Sequence, residues 1–122
     1  MAFTFKSPGI SKNIWTLCFR DKKTMTNLYY EDRDPDPEER IHGLTEYITQ
    51  TIYLDKDLDG FLLAKTLRHE LMHVYLWETG QQSRIYNEEE LCDLLSVAAP
   101  AINKTTDEII LRLKEGLYKK GE

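Results

Sequence analysis

Cysteine is scarce in this sequence: only Cys18 and Cys92 occur, far apart and in no paired metal-ligand spacing such as C-x-x-C. A metal site built from cysteines is thereby excluded, and because each thiol is flanked by apolar residues, both are expected as buried free cysteines. Long hydrophobic runs are also missing, since no stretch reaches the ~18 apolar residues of a membrane span. The first residues, MAFTFKSPGISKN, lack the apolar core and small-residue cleavage site of a signal peptide. Basic residues are in deficit, with a formal net charge of -5. The pairs Lys22-Lys23 and Lys119-Lys120 are too short to form the concentrated basic surface that phosphate contacts need, so no nucleic-acid partner is expected. These absences point to a reducing cytoplasm, of a cell or of the host of a virus or mobile element.

What is present suits one compact domain over residues 1–122, with 41% hydrophobic, 30% charged and 11% aromatic residues. Strand signals come first. In NIWTLCFR, Asn13 to Arg20, alternation sets Trp15, Leu17 and Phe19 on one side and Ile14, Thr16, Cys18 and Arg20 on the other. Asp21 to Lys23 then reads as a turn, and Thr24 to Tyr30, rich in β-branched and aromatic residues, reads as the returning strand of a hairpin. Two prolines among charges make Glu31 to Arg40 a surface loop. TEYITQTIYL, Thr45 to Leu54, predicts one or two further strands joined across Thr49-Gln50.

Helix signals follow. Phe61 to Glu78 has no proline or glycine and is dense in helix formers, with Leu63, Leu67, Val74 and Trp77 spaced for one buried face. Thr79-Gly80 supplies the stop. Asn87 before Glu88, Glu89 and Glu90 is an N-cap followed by acids that suit the positive end of a helix dipole, so a second helix should run from Glu88 to about Ala99. Pro100 marks its end or a kink, and Thr105-Thr106-Asp107-Glu108 offers a capping box for a last helix to about Tyr118. The fold expected is α+β, a small antiparallel N-terminal sheet packed on helices. Asp55 to Gly60 alternates acids faintly like a calcium loop, but no glutamate stands near Lys65-Thr66 to close it.

The chemistry lies in His69-Glu70-Leu71-Met72-His73, at the centre of the Phe61 to Glu78 helix. A helix advances about 100° per residue, so imidazoles four apart stand nearly above one another and can grip one ion. Glu70 projects from a neighbouring angle, within reach of a water on that ion and suited to take its proton. A tetrahedral catalytic zinc needs a third protein ligand and one open position. Downstream, Glu89 and Asp93 are four apart and share a helix face, while Leu91, Leu94 and Leu95 should turn to the core. Glu89 is the expected third ligand, with Glu88 and Glu90 as alternatives, and Asp93 is expected behind it, accepting a ring N–H of a ligating histidine.

KTLRHELMHVYLWETG followed by YNEEELCDLLS resembles the small zinc metallopeptidase domains of phages and mobile elements, related to the ImmA/IrrE and SprT-like groups of glutamate-liganded zincins. The likeness covers about Gly43 to Ala101, and its most specific parts are the two histidines and the later E-x-x-x-D of Glu89 and Asp93. It implies a zincin-like fold, a zinc cofactor on His69, His73 and Glu89, Glu70 as general base, and a strand beside the active helix that aligns a protein or peptide substrate. By position that strand is Glu46 to Leu54. His42, alone in a loop, reads as a surface residue, with stabilisation of an oxyanion as its functional alternative. Tyr47, Tyr75 and Tyr86 are further oxyanion donors on the same footing, with packing as their default role. Zinc-dependent peptide-bond hydrolysis is the leading expectation; a zinc-stabilised regulatory or protein-binding domain of the same fold is the alternative, which would have no use for Glu70.

Overall fold

The computed structural model describes residues 2–31 and 40–116. It is α+β, with strands β1 (Ala2–Lys6), β2 (Ile14–Arg20), β3 (Gly43–Glu46) and β4 (Thr51–Asp55), and helices α1 (Lys22–Tyr29), α2 (Gly60–Glu78) and α3 (Glu88–Lys114). The four strands form one sheet in the order β1-β2-β4-β3. It is mixed rather than purely antiparallel: β1 and β2 pair antiparallel, β3 and β4 likewise, but β2 and β4 run parallel.

That parallel pair explains the largest departure from expectation. A hairpin partner for β2 over Thr24 to Tyr30 has no place in the sheet, because both edges of β2 are taken, by β1 and by β4. Parallel neighbours need a crossover connection, and the segment after β2 starts it as helix α1. Its start is marked by Asp21, whose carboxylate accepts from the Thr24 backbone N–H at 2.8 Å. Met25, fully buried, anchors the helix, which packs on β3 and β4. The loop expected over Glu31 to Arg40 falls almost wholly outside the described residues.

β1 was absent from the expected elements. Its sequence AFTFK alternates as a half-buried strand should, Phe3 and Phe5 facing Leu17 and Trp15 across the ladder. The β3–β4 hairpin matches expectation, closed by a turn in which the Gln50 N–H donates to the Tyr47 carbonyl. The core joins Trp15, Leu17, Ile52 and Leu54 of the sheet to Leu63, Leu67, Leu71 and Val74 of α2 and to Ala98, Ile102 and Ile109 of α3. Trp77, expected on the same face of α2, stands at its rim, packed edge-on against Trp15.

α3 runs through Pro100 without a break, where an end or kink and a separate last helix were expected. The proline sits on the exposed side. The buried positions Ala98, Ile102, Thr105, Thr106 and Ile109 keep helical spacing across it, so burial on α2 outweighs the lost hydrogen bond. Thr105 and Thr106 are therefore buried helix residues and no cap; the Thr106 hydroxyl donates back to the Ile102 carbonyl at 2.8 Å. Residues 117–122, including the expected helix end at Tyr118, lie outside the described part.

The first turns of α3 project from the body. Leu91 and Leu95 are exposed and only Leu94 packs against the core, so the expected inward turn of all three holds for one. Cys92 is exposed for the same reason, whereas Cys18 is buried in the sheet. Among the described residues no helix is long and apolar enough to cross a membrane.

Candidate active site

α2 crosses the sheet beside β3, whose outer edge pairs with no other described strand. The strand expected to align a substrate, Glu46 to Leu54, resolves into two elements with different positions. β4 is interior, between β2 and β3, and is hydrogen-bonded on both sides. Of these two strands only β3, one of the two edges of the sheet, leaves main-chain groups free for an added strand.

Two contacts bind this edge strand to the helix. Gly43 lies so close to α2 that a Cβ there would stand 2.9 Å from Glu70 Oε2 and 3.0 Å from Glu70 Cγ and Thr66 Cγ2. Two residues on, the Thr45 hydroxyl donates to Glu70 Oε1 at 2.9 Å. Glu70 is 5% exposed, an unusual setting for a carboxylate. Burial pushes its pKa above the ordinary glutamate value, against the lowering effects of the Thr45 hydrogen bond and the His69 charge.

His69 and His73 stack along one side of α2, ring centroids 5.0 Å apart and nearly perpendicular. His69 reaches well into solvent, and its Nε2 lies 4.0 Å from Glu70 Oε2. Desolvation, and secondarily the charge of His69, push the His73 pKa below the ordinary histidine value, which favours the neutral ring that a metal requires. The helix thus brings His69, His73 and Glu70 together as the spacing predicts. Glu89 is exposed in the first turn of α3, and among the described residues no group of three His, Cys, Asp or Glu is placed to hold a metal ion.

The other carboxylates have separate settings. Glu90 is committed to the helix start, reciprocating the Asn87 cap and pairing with Arg84 at 3.0 Å. Asp93 is exposed and lines a cavity with Tyr75, Gln81 and Tyr86. Tyr75 and Tyr86 therefore belong to that cavity, the Tyr86 hydroxyl donating to Gln81 Oε1 at 2.7 Å. Of the three tyrosines only Tyr47 follows directly on β3. It stacks on Trp77 with centroids 5.8 Å apart. Burial pushes its phenol pKa up, against the lowering effect of a hydrogen bond with the Gln82 side chain and with a smaller contribution from the Glu70 charge.

His42 departs from its surface reading. It lines a cavity of about 300 Å³ together with His69 and Glu70, and its Nδ1 is buried without a hydrogen-bond partner. The segment carrying it is pinned from both sides: the His42 carbonyl accepts from the Asp55 N–H at 2.9 Å, and Arg40 grips the buried Asp55 carboxylate through Nε and Nη2 at 2.8 and 2.6 Å. Gly43 and Thr45 are the site residues that sequence reasoning did not single out. The cue available for them was a glycine opening the strand that the helix must approach.

In comparisons with known proteins, no family model matches the chain, and neither a curated protein nor a solved structure matches it.

Thr45→Val keeps the side-chain shape but removes the donor to Glu70. The expected result is a further rise of the Glu70 pKa and a loss of about 1–2 kcal/mol of stability at neutral pH. The loss should shrink in acid, where a protonated Glu70 no longer depends on that donor. Urea unfolding at pH 7 and pH 4 measures it, and equal destabilisation at both would show that the hydroxyl serves packing alone.

Proposed function

We propose that the chain is a zinc-dependent metallopeptidase of zincin-like fold, acting on a protein or peptide substrate, with zinc on His69 and His73 and Glu70 as general base. The observation that carries this reading is Glu70: a buried carboxylate, oriented by Thr45, between two histidines at helical spacing and against a free strand edge. A helix that served only to fill the core would gain nothing from burying that acid. The histidine pair suits zinc in ring spacing and in the favoured neutral state of His73. Bound there, zinc would supply a Lewis acid that polarises a carbonyl and lowers the pKa of a water.

The remaining work belongs to the chain. The free edge of β3 binds the substrate main chain antiparallel or parallel to itself, placing the peptide over the helix stripe of His69 and His73. Glu70 takes a proton from the attacking water and hands it to the leaving amine, a role its raised pKa favours. The Tyr47 O–H stands at the end of β3 as a donor for the oxygen that gains charge.

The third ligand in this reading is Glu89, carried over from the family resemblance; it is not grouped with His69 and His73 among the described residues, but it is free of the capping and ion-pair duties that hold Glu90. Zinc content of the purified protein, followed by chelator competition across four variants, tests the whole set. Glu89→Ala should weaken zinc binding severely, Asp93→Ala on the order of 10- to 100-fold, and Glu88→Ala and Glu90→Ala little. Sensitivity at position 88 or 90 instead would reassign the ligand and remove the role of Asp93. A protein that retains no zinc when purified without chelator would remove the metallopeptidase reading itself.

A further inference from the structure

The cavity beside Glu70 has a charge pattern that the hydrolytic chemistry does not use. Its apolar walls are Ile41, Leu62 and Tyr29; its polar lining includes Arg40, His42 and Lys65. Glu70 is the only carboxylate among the described residues that line it. The three basic groups are not equivalent. Arg40 is already engaged, by Asp55 at 2.6 Å and Asp57 at 3.7 Å. Lys65 makes no hydrogen bond or ion pair with any described residue. His42 contributes a buried ring nitrogen that also lacks a partner.

Position along the helix matters as much as charge. Leu62, Lys65, Thr66 and His69 are spaced i, i+3, i+4, i+7, so they form one face. Lys65 stands one turn before His69, about 6 Å along the axis. An extended peptide on the β3 edge advances about 3.3 Å per residue. For a peptide that follows the helix axis, a group held at Lys65 is one or two residues from the bond held at His69. The volume, about 300 Å³, accommodates one side chain or one chain terminus.

We propose that this cavity is a subsite for a carboxylate of the peptide substrate, bound by Lys65 over an apolar wall of Leu62 and Ile41. The inference rests on the peptidase reading above. Two sources offer that chemistry, an internal aspartate or glutamate side chain and the C-terminal carboxylate of the peptide. The first makes the protein an endopeptidase with a preference for acidic residues; the second makes it trim chain ends. A lysine or arginine side chain is disfavoured, because on entering it would meet the Lys65 ammonium, unpaired among the described residues.

The test uses fluorescence anisotropy with the full chain in excess chelator, where no hydrolysis accompanies binding. Three fluorescein-labelled alanine hexapeptides serve as probes: one amidated with an internal glutamate, one with a free C-terminus, and one amidated and neutral. At low salt at least one carboxylate peptide should bind roughly fivefold more tightly than the neutral one. Lys65→Ala should erase the difference and Lys65→Glu invert it; Lys65 is exposed on α2, so both variants should fold. Whichever carboxylate peptide gains identifies the source. Equal binding of all three peptides, absence of binding, or a preference that survives Lys65→Glu overturns the proposal. Hydrolysis of the same peptides with zinc is scored apart: cleavage without carboxylate preference sinks the subsite alone, and preference without cleavage in any peptide sinks the peptidase reading alone.

Discussion

Glu70→Gln is expected to leave zinc binding intact while lowering peptide hydrolysis by about 10²- to 10⁴-fold, the range associated with loss of a general base. The two effects separate because Glu70 is no ligand in this arrangement. Glutamine keeps an oxygen to accept the Thr45 hydrogen bond, so the side chain remains in place, but it cannot take a proton. His69→Ala and His73→Ala should instead abolish tight zinc binding. Equal zinc loss in all three variants would overturn the division of roles.

The same substitution should make the metal-free protein more stable at neutral pH, and the sign follows from burial. The folded-state pKa of Glu70 is raised above its unfolded value. Below the unfolded value the carboxyl is protonated in both states and folding carries no charge penalty. Once the pH passes the folded pKa, folding must bury a carboxylate. Glu70→Gln removes that penalty, so a stabilisation of about 1 kcal/mol is expected above neutrality, fading towards pH 4. Thermal unfolding in chelator across that window measures it. A stabilisation largest in acid would contradict the assignment of burial as the dominant cause.

The second large effect is expected at Gly43. Gly43→Ala sets a methyl 2.9 Å from Glu70 Oε2 and 3.0 Å from Glu70 Cγ and Thr66 Cγ2, closer than side chains pack. Two of those three contacts are to the proposed base, and Thr66 is on the same buried face of α2. Relief must come from moving β3 off the helix or from turning Glu70 out of its site, at a cost of about 1–3 kcal/mol in stability. Either movement also breaks the Thr45 contact, so hydrolysis should fall with stability. A double-mutant cycle with Glu70→Ala, read by urea unfolding, isolates the clash: the pair should be less destabilised than the sum of the singles. Strict additivity would mean that Gly43 does not touch the base in solution.

The helix α2 and its histidine pair were legible because they depend on local arithmetic alone. A 3.6-residue period, good helix formers from Phe61 to Glu78 and a glycine stop require no knowledge of the rest of the chain. The β3–β4 hairpin was legible for the same reason, its strands being neighbours in sequence. The Asn87 cap was likewise legible from adjacent residues, but its completion as a capping box by Glu90, which withdraws Glu90 from the set of candidate ligands, came from the structure.

Where the local pattern failed, a distant element had decided the outcome. Thr24 to Tyr30 carries residues that favour strands, yet β4 takes the edge of β2 that such a strand would need. Pro100 should interrupt a helix, yet the burial of Ile102 and Ile109 in the core that α3 shares with α2 and the sheet carries α3 through it. Leu91, Leu95 and Cys92 have apolar character, but the start of α3 extends past the body that would have covered them. His42 looks like a loop histidine until Arg40 and Asp55 fix its segment against the cavity. By itself the sequence determined which residues could grip a metal and move a proton, since that is a matter of side-chain type and helical spacing. Only the tertiary structure decided that Glu70 is buried, that β3 rather than β4 is a free edge, and that Gly43 and Thr45 meet the proposed base, because each depends on contacts between elements far apart in the chain.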